Sequence, residues 1–335
     1  MKDVANLAGV SLATVSRVVN GSNDVRPDLA RRVRDAVDVL GYRRDHTAST
    51  LRRTDRLSST IGLVIEDVAN PFFSAVHRGV EDVARSHGVL TFAGSSDEQP
   101  DRERELVEAF AARGVDGLLM VPCSSDQGYL RRELESGTAL VFVDRPPRFI
   151  DADAVVTDNA AAARVAVEHL LAIGHRRIAL LADRPSVFTA AERRRGYREA
   201  LAGAGIGVDP TLERVGLVDS ASAKVAALKV LASLDPPSAL FAAQNLIAIG
   251  TIRALRERGV QHETALVAFD DVMLADMVDP GLTVVAQDPF GLGRRAAELL
   301  FSRLNGVDGE SQTIVMPAEL VPRGSGEIAP VVARR

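Results

Sequence analysis

The sequence predicts a small all-α head joined to an α/β body of two parallel-sheet lobes. Two short amphipathic helices around a Gly-containing turn open the chain. From Thr60 onward, short β-branched runs alternate with amphipathic helices, and the rhythm starts again after residue 160. A length of 335 residues allows two or more domains with substantial cores.

In the opening stretch MKDVANLAGVSLATVSRVVN, Asp3, Val4, Leu7 and Ala8 begin a helix with apolar positions about one turn apart. Gly9-Val10-Ser11 interrupts it, Gly9 supplying the backbone freedom of a tight turn. Ser11 can cap a second helix whose inward residues are Val15, Val18 and Val19. This is the outline of a helix-turn-helix, whose second helix reads the major groove from its N-terminal end. Leu12, Ala13 and Arg17 then face base edges, since Arg pairs bidentately with guanine and small apolar groups suit a thymine methyl. Thr14, Ser16 and Asn20 suit phosphate oxygens, which fix register. Spacing alone leaves an ordinary helical hairpin with a solvated face open.

DVANLAGVSLATVSRVVNG resembles the head of the LacI/GalR (lactose-repressor/galactose-repressor) family of bacterial transcription regulators, whose pattern is close to DVAxxAGVSxxTVSRVLNG. The resemblance implies a helix-turn-helix DNA-binding domain over 1–44, a hinge over 45–60 and a two-lobed effector-binding and dimerisation body over 61–335.

Charge is unevenly spread. Eleven Lys/Arg against seven Asp leave residues 1–60 at +4, so the remainder carries −9 of the total −5. A basic head on an acidic body suits a chain whose head alone touches phosphates. No apolar run has the length of a membrane span and no signal-peptide core opens the chain, so a cytoplasmic protein without a membrane partner is expected. The lone Cys123 excludes an intramolecular disulfide, and no Cys/His cluster suggests zinc; no cofactor or metal is expected.

Pro27 and Asp28 suit the start of a third helix with Val33, Ala36, Val37 and Leu40 inward and Gly41 at its end. Leu29-Ala30 stands where the family usually has Thr-Arg, removing a phosphate contact for which Arg31 and Arg32 can compensate. Residues 45–60 are polar and basic, as in a flexible linker. The resemblance implies instead a hinge helix, YxPNxxARSL in relatives, with Ala48 and Leu51 matching and Leu51 as a minor-groove wedge. Arg44, Asp45 and Ser49 depart from that pattern.

IGLVIE (61–66), VLTFA (89–93), GLLMV (117–121) and ALVFV (139–143) read as buried strands, with helices near 73–87, 101–113 and 126–136. RIALLA (177–182), ALFAA (239–243), ALVAF (265–269) and LTVVA (282–286) repeat the pattern. Two such Rossmann-like lobes are similar to periplasmic binding proteins, with a ligand cleft between them. The resemblance implies three crossings, placed near 158–162, 287–291 and 320–323. Lobe 1 then spans about 61–160 and 290–320, and lobe 2 about 161–289 and 321–335.

Ligands of open parallel sheets bind beyond the C-terminal strand ends. There stand Asn70-Pro71-Phe72-Phe73, an amide and a ring for a sugar face, although one ring can equally be core. Ser96-Asp97 follows the second strand and Asp144-Arg145 the fourth, the latter a pair able to take adjacent hydroxyls or to form a structural ion pair. The resemblance adds Arg193, three residues before Gly196, with Asp270 and Gln287, while Arg194 and Arg195 fit a solvated face. AAQNLIAIG stands where AANDxMAxG is usual, so Asn245 replaces an acidic acceptor. These side chains fit a polyhydroxylated effector, a sugar or a sugar derivative.

An enzyme is not expected: nucleophile elbow, P-loop and HExxH are missing, Gly62 and Gly79 form no dinucleotide fingerprint, and His175 in IGHRRI reads as a helix-end residue. The expected protein is a repressor binding a near-palindromic double-stranded operator as a homodimer under effector control. A nucleoside or purine effector, a protein co-regulator and a transport-type sugar-binding protein are the competing readings. No leucine heptad extends the C-terminus, which favours a dimer over a tetramer.

Overall fold

In a computed structural model the structure describes residues 1–19, 24–40 and 58–330. Two compact units divide at Ser58/Ser59.

The first unit holds α1 (Lys2–Ala8), α2 (Leu12–Val19) and α3 (Pro27–Val39). Gly9 closes α1 at φ 62°, a left-handed turn that a Cβ would strain. Ser11 Oγ accepts from Thr14 N at 3.1 Å, the N-cap bond that starts α2. Pro27 sits in the first turn of α3, where no N–H is needed. Val4, Ala5, Ala8, Val15, Val33 and Ala36 form the core, with Val18, Val19 and Val37 packed against it. Two expected core residues lie outside it. With 3.6 residues per turn, Ala5 rather than Leu7 shares the inner face with Val4 and Ala8, and Leu7 is 54% exposed. Leu40 follows the last helical residue as C-cap and is 45% exposed.

The second unit carries two six-stranded sheets, ordered β11-β5-β4-β3-β1-β2 and β12-β10-β9-β8-β6-β7. The first comprises β1 (Thr60–Ile65), β2 (Leu90–Ser95), β3 (Gly117–Met120), β4 (Ala139–Asp144), β5 (Asp153–Thr157) and β11 (Thr313–Met316). All its pairings are parallel, with Gly62 opposite Phe92 on one side and Leu118 on the other. The second comprises β6 (Ile178–Leu181), β7 (Glu213–Arg214), β8 (Ala239–Ala242), β9 (Ala265–Phe269), β10 (Thr283–Ala286) and β12 (Glu319–Val321), the last antiparallel to β10. Helices cover both faces of each sheet: α4 (Pro71–Ser86) and α11 (Pro289–Leu304) against α5 (Pro100–Ala112) in lobe 1, and α7 (Asn159–Ile173) and α8 (Phe188–Gly203) against α9 (Ser220–Leu231) and α10 (Asn245–Arg258) in lobe 2.

Strand alternation feeds the two cores of each lobe: Ile61, Leu63 and Ile65 face α4 and α11, while Val64 faces α5. Glycines let helices meet at backbone distance. A Cβ on Gly79 would lie 2.1 Å from Phe290 O, and one on Gly196 the same distance from Ala160 O. His175, fully buried after α7, bonds Ser238 Oγ and Ile328 O at 2.8 Å each and pins the C-terminal segment.

Four expectations change. β2 is an edge strand with Leu90 68% and Phe92 41% exposed, because it has a sheet neighbour on one side only. β5, β7, β11 and β12 are not among the expected strands: β7 and β12 have only two and three residues, whereas DAVVT of β5, buried throughout, and TIVM of β11 are apolar runs that the sequence does offer. The stretch near 126–136 is a 3₁₀ turn (Gly128–Leu130) and the five-residue α6 (Arg131–Glu135). The chain passes between sheets after Thr157, after Ala286 and at 317–318. The third passage precedes the expected 320–323 because Glu319 already pairs with Ala286.

Candidate functional site

On the head, Leu12, Ala13 and Arg17 are exposed along α2, and Arg31 is exposed on α3. Thr14 bonds Ser11 through both its N–H and its hydroxyl, and Ser16 is half-buried. Arg32 reaches back to Gly9 O at 3.5 Å. Asn20, Ala48 and Leu51, together with Gly41 and the hinge departures, lie outside the described residues.

In the body, the C-terminal strand ends of both lobes converge on a cleft. Asn70, Phe72, Phe73, Asp144, Arg145, Arg193, Asn245 and Asp270 all line it. Asn70 is the N-cap of α4, its Oδ1 accepting from Phe72 N at 3.1 Å. That cap and Pro71 turn Phe72 and Phe73 inward as an edge-to-face pair, centroids 5.1 Å apart. Both rings belong to the core of lobe 1 and both reach the cleft, so the two roles do not divide between them.

Asp144 ends β4 in one lobe and Asp270 follows β9 in the other, with φ of 67° and 70°. Left-handed backbone at a non-glycine residue is strained and concentrates at functional sites. Asp144 Oδ1 is buried without a hydrogen-bond partner among the described residues. Burial lifts the Asp144 carboxyl to about 6, against the pull of Arg145 and Arg193 and with Asp270 adding to the rise.

Arg145 bonds Glu66 at 2.7 Å, Glu98, and Pro122 O at 3.1 Å. Its Nε stands 3.6 Å from Asp144 Oδ2. Two other carboxylates therefore hold this guanidinium in place. Glu66 itself is pushed up to about 8, by burial first. Across the cleft, Arg193 donates to Asn159 Oδ1 at 2.7 Å and to Ala243 O at 2.9 Å, and lies 3.7 Å over the Phe269 ring. Burial lowers its pKa. Gln287 Nε2 donates to Asp270 Oδ1 at 2.6 Å, leaving Gln287 Oε1 buried and without a partner among the described residues.

Asp97 is not brought to the cleft. It turns outward in a left-handed conformation and pairs with Arg102, while the neighbouring Glu98 goes inward to Arg145. Arg194 pairs with Glu213 and Arg195 with Glu192 and Glu199, away from the cleft lining. Sequence reasoning missed Glu66, Asp183 and Gln244, which also line the cleft. Each follows a strand of the same kind that flagged Asp144 and Asp270, so the strand-end rule applied throughout would have found them. Among the described residues no His, Cys, Asp or Glu group is arranged to hold a metal, and no helix is long and apolar enough to cross a membrane.

Comparison with known proteins agrees with this architecture. The family of bacterial regulatory proteins, lacI family, matches residues 1–45, and the periplasmic binding protein-like domain matches residues 167–326. The HTH-type transcriptional regulator CelR of Thermobifida fusca is 34% identical over 334 residues, covering 96% of this chain and 97% of that protein. The HTH-type transcriptional repressor CytR of Escherichia coli is 30% identical, covering 98% and 97%. Among solved structures, the lac repressor dimer bound to operator and the anti-inducer ONPF superposes with a TM-score of 0.85 at 27% identity, covering 97% of this chain and 98% of that one. A CelR–cellobiose complex gives 0.71 at 32%, covering 97% and 98%. With 34% identity to one such regulator along nearly its whole length, the chain belongs to the LacI family of bacterial regulatory proteins.

Proposed function

We propose that the chain is a transcriptional repressor that binds a near-palindromic operator as a homodimer in the cytoplasm and answers to a small sugar held between its lobes. The observation that carries this reading is the facing pair Asp144 and Asp270. Both are carboxylates on strained backbone at equivalent strand ends of the two lobes, and they share one cleft. Carboxylates, guanidinium N–H groups and amides around an aromatic ring match the alternating donors and acceptors of a polyol.

In this reading Leu12, Ala13 and Arg17 read bases, while Thr14, Ser16, Asn20 and Arg31 hold phosphates. Ala48 and Leu51 form the hinge. Asn70, Phe72, Phe73, Asp144, Arg193, Asn245, Asp270 and Gln287 hold the effector, and Arg145 positions Asp144 while tied to Glu66 and Glu98. Operator affinity then changes by the ratio of effector affinities for the two lobe arrangements, and reciprocally. The CelR–cellobiose complex and the lac repressor dimer on its operator support both halves of the reading.

The test selects duplexes from a random pool with the full-length protein, then titrates the bound operator with sugars. A sugar that alters operator affinity for the wild type but not for Asp270→Ala is the expected result. Absence of any sequence preference overturns the reading.

A further inference from the structure

The cleft has a sign. Four carboxyl residues line it, Glu66, Asp144, Asp183 and Asp270, against two arginines. A fifth, Glu98, is bound to Arg145 from behind the lining, as Arg184 is to Asp183, so five carboxyl residues stand against three arginines. The Arg145 guanidinium is not an open anion receptor. The charge of Arg193 is balanced by Asp270, although its Nη2 has no partner among the described residues and can still meet a hydroxyl. Arg145 is engaged by two carboxylates and a carbonyl, and Arg193 by an amide oxygen and a carbonyl, with Asp270 Oδ2 3.8 Å away.

The vacant hydrogen-bonding positions point the same way. Of the lining atoms, Asp144 Oδ1 and Gln244 Oε1 are buried acceptors with no partner among the described residues, and Arg145 Nε is the one such donor. Gln287 Oε1, on the residue bonded to Asp270, is a further such acceptor. Gln287 is oriented without ambiguity, because its amide nitrogen must face the Asp270 carboxylate for that bond to form. Buried acceptors call for O–H or N–H donors. A hydroxyl supplies one; a phosphate or carboxylate at neutral pH supplies none and adds a like charge in a low-dielectric site.

We infer that the cleft selects an uncharged, hydroxyl-rich effector and rejects the phosphorylated or carboxylated form of the same sugar. The inference rests on the reading of this cleft as the effector site and adds the charge class of its ligand. Protonation of Glu66, which burial favours, leaves Glu98, Asp144, Asp183 and Asp270 against Arg145, Arg184 and Arg193, still an acidic excess of one, so the discrimination holds at neutral pH.

The experiment is isothermal titration of the full-length protein with matched probes: D-ribose and D-ribose 5-phosphate, D-glucose and D-glucose 6-phosphate, and D-glucose with D-glucuronate and D-glucuronamide. In whichever set the neutral sugar binds, its anion should bind about 100-fold more weakly. The uncharged amide, matching the acid in shape, should lie nearer the neutral sugar. Asp183→Asn, which removes one lining charge, should narrow the gap between neutral and anionic probes several-fold. An anion binding as well as its neutral counterpart overturns the inference but leaves the cleft as effector site. Failure of every probe, or neutral binding that Asp270→Ala does not weaken, overturns the effector-site reading and this inference with it.

Discussion

Asn245 Nδ2 donates to Asn70 Oδ1 over 2.7 Å, and these two buried residues belong to different lobes. Asn70 Oδ1 also accepts from Phe72 N, so the amide cannot turn over without undoing the cap of α4. One neutral hydrogen bond thus spans the cleft at its wall. An Asp in place of Asn245, the residue usual in the family pattern, would set a carboxylate oxygen against this acceptor. Asn245→Asp is therefore expected to separate the lobes in the ligand-free protein, read as a larger radius of gyration in small-angle scattering. Asn245→Ala should cost about 1 kcal/mol or slightly more in stability. Identical scattering from wild type and Asn245→Asp would remove the bond from any role in setting the lobe arrangement.

Arg17 is exposed on α2, so its loss should leave folding intact. Arg17→Ala is expected to relax base preference at one operator position by about 1–3 kcal/mol, measured by competition among single-base operator variants. Equal weakening on all sequences would assign Arg17 to phosphate instead.

Leu51→Ala should reduce operator binding more than binding to unrelated duplex, because a wedge acts only where the duplex yields. Parallel losses in a filter-binding or anisotropy comparison would make residues 45–60 a plain linker.

Glu66 is raised from the ordinary carboxylate range to about 8 by burial. A raised carboxyl is a better proton acceptor in the folded protein, so its contribution is most favourable below about 4.5 and declines as pH climbs towards 8. Glu66→Gln should therefore gain stability relative to wild type between pH 5 and pH 8, about these limits, in urea unfolding. A difference that does not change with pH contradicts a shifted Glu66.

Gly79 faces Phe290 O at a distance no Cβ tolerates. Gly79→Ala should push α4 from α11 and cost about 1–3 kcal/mol, seen as a lowered melting temperature. An unchanged melting point would mean that the helix pair has slack.

The chain's local patterns determined a good deal. Gly9, Ser11 and the valines of α2 announce the helix-turn-helix, because caps, turns and helical period act over a few residues. Runs such as ALVFV and ALVAF announce buried parallel strands, and strand ends place Asp144 and Asp270 at a cleft. What the tertiary structure alone decided is who meets whom. Arg145 finds Glu66 from 79 residues away, and Asn245 finds Asn70 from 175. Asp97 turns out to solvent while its neighbour Glu98 turns in. Such pairings depend on how sheets stack and lobes face each other, and no short-range pattern in a chain encodes that distance.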